Sequence, residues 1–157
     1  MRIARTTLTF TLLVLLAACE ATSPSAQYVK QTNATIRSAQ DRIPHEDTAL
    51  LEKVYANRPD LLKSLYIEHD VPATLVKRVV PEYPNGYAFK GTYTVEMAFV
   101  VGKDGRVIDP RPLRNYNRDF VRSAASALEK WQWEPAVRDG KPIEQWFVIK
   151  MPYRWKN

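Results

Sequence analysis

The chain has 157 residues, 23 Lys and Arg against 17 Asp and Glu for a net charge of +6, and a single cysteine. That length is one domain's worth, and one cysteine excludes an internal disulfide and a cysteine-ligated metal site. The basic excess is modest, and no Lys/Arg cluster interleaves with aromatics in the pattern that nucleic-acid binding needs.

The chain opens with Met1-Arg2-Ile3-Ala4-Arg5, continues through an apolar stretch from Leu8 to Ala18, and reaches Cys19 through Leu16-Ala17-Ala18. A charged start, an apolar centre and small residues before a cut are the parts of a secretory signal peptide. The apolar run is about 11 residues, against the ~20 that a bilayer-crossing helix needs. Leu-Ala-Ala-Cys resembles the close of bacterial lipoprotein signals. That resemblance implies cleavage after residues 1–18 and acylation of the Cys19 thiol. The alternative, an ordinary secretory signal cut elsewhere, leaves an exposed thiol without a partner in an oxidising compartment. Cut before Cys19, the mature chain keeps 139 residues, with 21 basic against 17 acidic side chains and a net charge of +4.

Residues 19–27 follow as a small, polar tether. Residues 28–80 carry helical signals. Val29, Ile36 and Ile43 recur every seven residues. Asp47 to Ala56 places Leu50, Leu51, Val54 and Tyr55 on one face. Pro59 permits a fresh helix start, after which Asp60 to Glu68 groups Leu61, Leu62, Leu65 and Tyr66.

From Pro81 the pattern changes. Tyr93, Val95, Met97, Phe99 and Val101 alternate with Thr94, Glu96, Ala98 and Val100, which predicts a strand with one buried face. Gly102-Lys103-Asp104-Gly105 is a turn, because Asp-Gly supplies positive φ. Arg106 to Leu113 is the returning strand. Pro110 and Pro112 lack backbone donors, so that strand must be an edge, bulged or short. Phe120, Ala124, Ala127, Leu128 and Trp131 fall on one helical stripe, capped by Asn117. Pro135 stops the helix, Arg138 to Pro142 is another turn, and Ile143 to Tyr153 alternates as a last strand. The order strand, strand, helix, strand predicts an α+β domain, a small antiparallel sheet with one packed helix (ββαβ), preceded by short helices.

The chemistry of an enzyme is not legible. His45 and His69 stand in no nucleophile or metal motif and read as surface residues. Glu82, Glu96, Glu134 and Glu144 are scattered rather than paired. Trp131 and Trp133 read as packing residues. No catalytic site, metal or cofactor is expected.

Taken together, residues 81–157 resemble the C-terminal domain of TonB-family energy transducers. The matching pieces are Pro81-Glu82-Tyr83-Pro84, Val95 to Val101, Lys103 to Val107, Phe120 with Ala124-Ala125 and Ala127-Leu128, Trp131 to Ala136, Asp139 to Ile143, and a final strand closing on Tyr153. Three departures stand out. Gly91 lies two residues before the position where the family's first strand opens, and Tyr93 occupies that position. Pro110 and Pro112 replace apolar strand residues. A lipoprotein signal stands where driving members of the family keep a transmembrane helix.

The resemblance implies a non-enzymatic protein-binding module on the periplasmic side of the envelope, lipid-anchored, with the outer membrane favoured over the inner. Its partner would be an envelope protein such as an outer-membrane receptor, whose extended segment adds to the edge of Gln145 to Tyr153. Trp146, Val148 and Lys150 would face the guest, with Tyr83 and Pro84 nearby. Two alternatives stay open at this stage. Tyr83-Pro84 can be a mechanical lead-in. Trp146 and Val148 can be covered by the N-terminal helices, which would make the chain a structural envelope lipoprotein.

Overall fold

The computed structural model describes residues 45–88 and 91–154. The expected signal peptide, Cys19, the expected tether and the Val29/Ile36/Ile43 stripe lie outside the described residues.

The alternation of residues 93–101 becomes strand β2, Thr92–Val101, at the centre of a three-stranded antiparallel sheet. On one side lies β3, Val107–Pro112; on the other lies the final strand, β7, Gln145–Arg154. β2 and β7 pair over ten residues each, from Thr92 opposite Arg154 to Val101 opposite Gln145. The register slips against β3, where Ala98 faces Arg111 but Val100 faces Ile108. The extra residue makes a bulge at Asp109, whose φ of 48° an aspartate tolerates better than most residues. The two prolines therefore sit where they were expected, on a bulged edge strand.

Between β2 and β3 the turn depends on Gly105. Its φ is +75°, and a Cβ there would stand 2.0 Å from the Trp133 carbonyl oxygen. The close approach is used, because the Gly105 carbonyl accepts the Trp133 amide at 3.0 Å.

One face of the sheet meets a helix at Arg118–Leu128, the third among the described residues (α3), whose Asn117 cap accepts the Asp119 amide. Phe120, Ala124, Ala127 and Leu128 are buried against Val95, Met97, Phe99 and Val101 of β2 and Phe147, Met151 and Tyr153 of β7. Phe99 and Phe147 stand opposite each other in register, with rings stacked 5.5 Å apart. Trp131 and Trp133 close this core. Tyr93 adds its ring at 4.6 Å from Phe120, and its hydroxyl accepts the Asn117 amide.

The second face of β2 is covered over its later half, which corrects the expectation of a single buried face, while Thr94 and Glu96 nearer its start stay partly exposed. Ala98 and Val100 are as fully buried as their neighbours. They lie under helices α1, His45–Val54, and α2, Pro59–Leu62, through Leu51, Tyr55 and Leu61. The sheet is thus the middle of three layers. α2 is shorter than its sequence suggests. After Leu62 the chain continues with Ser64 bonding to Leu61, Leu65 to Leu62 and Ile67 to Ser64, a three-residue period. That change of period turns Tyr66 out to 69% exposure instead of grouping it with Leu61 and Leu65.

Four short strands have no counterpart in the expected elements. β1, Thr74–Lys77, lies inside the stretch read as helical and pairs with β4, Gln132–Glu134. β5, Ala136–Arg138, and β6, Lys141–Ile143, form a hairpin around Asp139-Gly140. Both turn residues have positive φ, as a two-residue hairpin turn requires. The last strand accordingly starts at Gln145 rather than Ile143.

Candidate binding edge

Which backbone groups of β7 point outward follows from the register. The Leu113 amide donates to the Glu96 carbonyl, and the Gly102 amide donates to the Arg106 carbonyl. The even-numbered residues of β2 therefore turn their backbone groups toward β3, and the odd-numbered ones toward β7. In an antiparallel pair the two opposed residues share this direction. Phe147, Ile149, Met151 and Tyr153 thus bond inward to β2, while Trp146, Val148 and Lys150 turn their N–H and C=O groups to the outer edge. Pro152 has the same parity as these three. It costs the ladder no donor, as expected of a proline on the outward positions of an edge strand. Among the described residues, no strand pairs with this outer edge.

The side chains on this strand do other work. Trp146 is 4% exposed. Its ring meets Tyr55 edge-on at 4.7 Å, and its indole N–H donates to Ser64 Oγ at 3.0 Å and toward the Leu61 carbonyl at 3.3 Å. Val148 is half-buried against the same cluster. The Gln145 side chain is turned inward, and its Oε1 accepts the Ala73 amide at 2.7 Å, tying the approach to β1 onto β7. Of the residues expected to face a guest, only Lys150 has a side chain in solvent. The expectation that Trp146 and Val148 read a guest through their side chains is thereby corrected. They face away from the α3 core, but α1 and α2 occupy that space.

Tyr83 and Pro84 are elsewhere. Tyr83 stands edge-on to Phe120 at 5.5 Å and to Tyr153 at 6.4 Å, on the α3 side. The Ser123 hydroxyl holds the preceding Glu82 carbonyl. These contacts suit a mechanical lead-in, and they belong to the far end of β7 on the opposite face from Trp146.

Reasoning from sequence missed the clamp between the N-terminal helices and the edge strand. The Tyr55 hydroxyl inserts into the β3 bulge, 2.8 Å from the Ala98 carbonyl and 2.7 Å from the Asp109 carbonyl. With one proton, it donates to one carbonyl at a time. Arg111 lies over the Tyr55 ring at 4.8 Å, bonds the Val54 carbonyl at the end of α1, and pairs with Asp109 at 2.8 Å. Arg58 joins Asp109 to Asp60, each at 2.8 Å. The polar run Asp109-Pro110-Arg111 inside an apolar strand was the available signal.

Burial, and after it the nearby Asp109 charge, pushes the Tyr55 hydroxyl well above its ordinary value of 10.0. Folding therefore favours the neutral phenol. The associated stability is fully present below about pH 10 and is lost as pH rises through the elevated folded value. Denaturant titrations from pH 7 to 11 should show wild type losing stability at the alkaline end. Tyr55→Phe should start less stable, and the gap between the two should narrow above pH 10. A gap that stays constant would show that this hydroxyl does not couple to folding.

Among the described residues, no group of three or more His, Cys, Asp and Glu could hold a metal ion. Glu96 has its partners in Arg114 at 3.2 Å, Lys150 at 3.6 Å and the Tyr116 hydroxyl at 3.1 Å. With Thr94 these residues line a shallow open groove of about 470 Å³.

Residues 80–156, just under half of the chain, match the family model described as Gram-negative bacterial TonB protein C-terminal. Among solved structures, the chain is similar to the solution NMR structure of the Pseudomonas aeruginosa TonB C-terminal domain. Identity is 26%, coverage is 56% of this chain and 91% of that one, and the TM-score is 0.46. No curated protein matches at a significant level.

Proposed function

Because residues 80–156 carry a TonB C-terminal domain, we propose that this chain is a periplasm-facing binding protein whose partner adds a strand to the outer edge of β7. Domains of this family bind outer-membrane receptors in an energy-transducing pathway and are not enzymes. The observation that carries the proposal is β7 itself. It has ten residues paired on one side to β2 and, among the described residues, paired to no strand on the other. Such an edge offers main-chain hydrogen bonds to an extended segment. Trp146, Val148 and Lys150 would supply backbone donors and acceptors, and the buried Trp146 and half-buried Val148 side chains would hold the edge rigid. Gln145 and the Tyr83-Pro84 lead-in act as supports for that strand rather than as contacts.

Val148→Pro tests this directly, because it deletes an outward donor without removing a bond to β2. Pull-downs from intact envelopes should lose the wild-type partner, since a guest carbonyl left without its donor costs about 1–3 kcal/mol. Circular dichroism must show the variant folded. A folded variant that retains the wild-type partners would remove the edge from consideration.

Cys19 completes the proposal as the site of lipid attachment, with residues 19–27 as the tether and the outer membrane as the favoured location. Acyl chains contribute ~0.8 kcal/mol per buried CH₂. Among the described residues, no helix is long and apolar enough to cross a membrane. A lipid anchor suits an accessory role in receptor-dependent transport. Cys19→Ser should abolish incorporation of radiolabelled fatty acid and release the protein from membranes; labelling that persists would refute the anchor. A second reading, a structural envelope lipoprotein without a receptor, is favoured by the sealing of Trp146 under α1 and α2, and retention of all partners by Val148→Pro would select it.

A further inference from the structure

We infer that Lys150 selects guest segments carrying a carboxylate opposite it, a specificity that rests on the strand-addition reading above. The outward backbone groups of β7 begin at Trp146, and the amide donors pause at Pro152, which has none. The paired part of a guest is therefore centred on Val148 and Lys150. On the face shared by the even-numbered residues, Trp146 is sealed by α1 and α2 and Val148 is half-buried, while Lys150, Pro152 and Arg154 are exposed. A guest side chain beside Trp146 would border the helices. One beside Lys150 would meet a cation whose side chain is 76% exposed.

That cation is free to change partner. Glu96 is held by Arg114 at 3.2 Å and by the Tyr116 hydroxyl at 3.1 Å, both closer than Lys150 at 3.6 Å. If Lys150 swings from Glu96 Oε1 to the guest, Oε2 keeps its two donors and the carboxylate still borders the open groove, where water can reach Oε1, so the acid is not left orphaned. The local balance also favours an acid. Two cations, Arg114 and Lys150, flank one carboxylate, and Arg154 adds a third positive charge four residues along the strand on the same face. Opposite charges directly across a strand pair attract, and like charges repel. An acidic residue is thus the complement, and a basic one is excluded.

The test uses the full chain in detergent and blocked peptides of alternating Thr and Val. About eight residues, at about 3.4 Å each, span the outward positions. A single Glu is moved along the peptide, with Gln as its control, and binding is measured at low and high salt. One Glu position should bind about two- to fivefold more tightly than its Gln control, the range expected of an exposed pair, and the advantage should shrink in salt. Lys150→Glu should reverse the preference at that position, so that a Lys peptide becomes the better guest. Equal binding of Glu and Gln peptides at every position, or a preference unchanged by Lys150→Glu, overturns the inference while leaving strand addition intact. Failure of every peptide to bind wild type overturns both.

Discussion

Trp146→Ala should lower the stability of the folded chain by about 3–5 kcal/mol, the usual cost of deleting a large aromatic from a packed core. The indole fills the space between the sheet and the N-terminal helices, meets Tyr55 at 4.7 Å and donates to Ser64 Oγ. Its removal opens a cavity and takes a donor from Ser64 Oγ, which keeps its own bond to the Leu61 carbonyl. Leu51, Tyr55 and Leu61 then lose their shared contact, so α1 and α2 should loosen before the α3 core does. A broader melt and early loss of near-UV signal would report that sequence. The result separates two roles for one residue. A tryptophan displayed for a guest would leave the melting curve unchanged and abolish binding; a sealed one shifts the curve first.

The second large effect is expected on the other face. Trp131→Ala should cost about 3–5 kcal/mol, a substantial share of the 5–15 kcal/mol that stabilises an ordinary domain. Trp131 is buried beyond the end of α3, with Trp133 6.0 Å away and the Arg78 guanidinium over its ring. Its indole N–H donates to the Val79 carbonyl at 2.8 Å, which fastens the strand-to-lead-in segment below the helix. Trp131→Phe keeps most of the apolar surface and removes the donor, so it should fall well short of the alanine change. Equal losses for the two variants would mean that the hydrogen bond to Val79, rather than packing, dominates.

The α3 core was legible because its two periods were clean. Val95 to Val101 alternate, Phe120 to Leu128 repeat at helical spacing, and each stripe found the other. The same alternation misled on the second face. Nothing local to Ala98 and Val100 shows that Leu51 and Tyr55, more than 40 residues upstream, will cover them. Small side chains there also read as solvent-tolerant. β1, β5 and β6, at three or four residues each, are too short for any period to register. The site was half legible. The residues of the last strand could be named, but the direction in which each backbone amide points depends on its register with β2, which no local pattern in the strand reveals. The Tyr55 hydroxyl's own partners are main-chain atoms, which carry no sequence signature, so only the run Asp109-Pro110-Arg111 hinted at the clamp.

The Tyr55 hydroxyl in the β3 bulge also bears on the order of assembly. Its socket is built from Ala98, Asp109 and Arg111, which come together only once β2 and β3 have paired, and the indole it rests against arrives with β7, the last of the described elements. The segment that leaves the ribosome first among the described elements thus has no place to dock until the one that leaves last is in position. Closing so long a loop is slow. During refolding α1 and α2 would wait as an unpartnered apolar pair, and chaperone capture would be most consequential over residues 45–66.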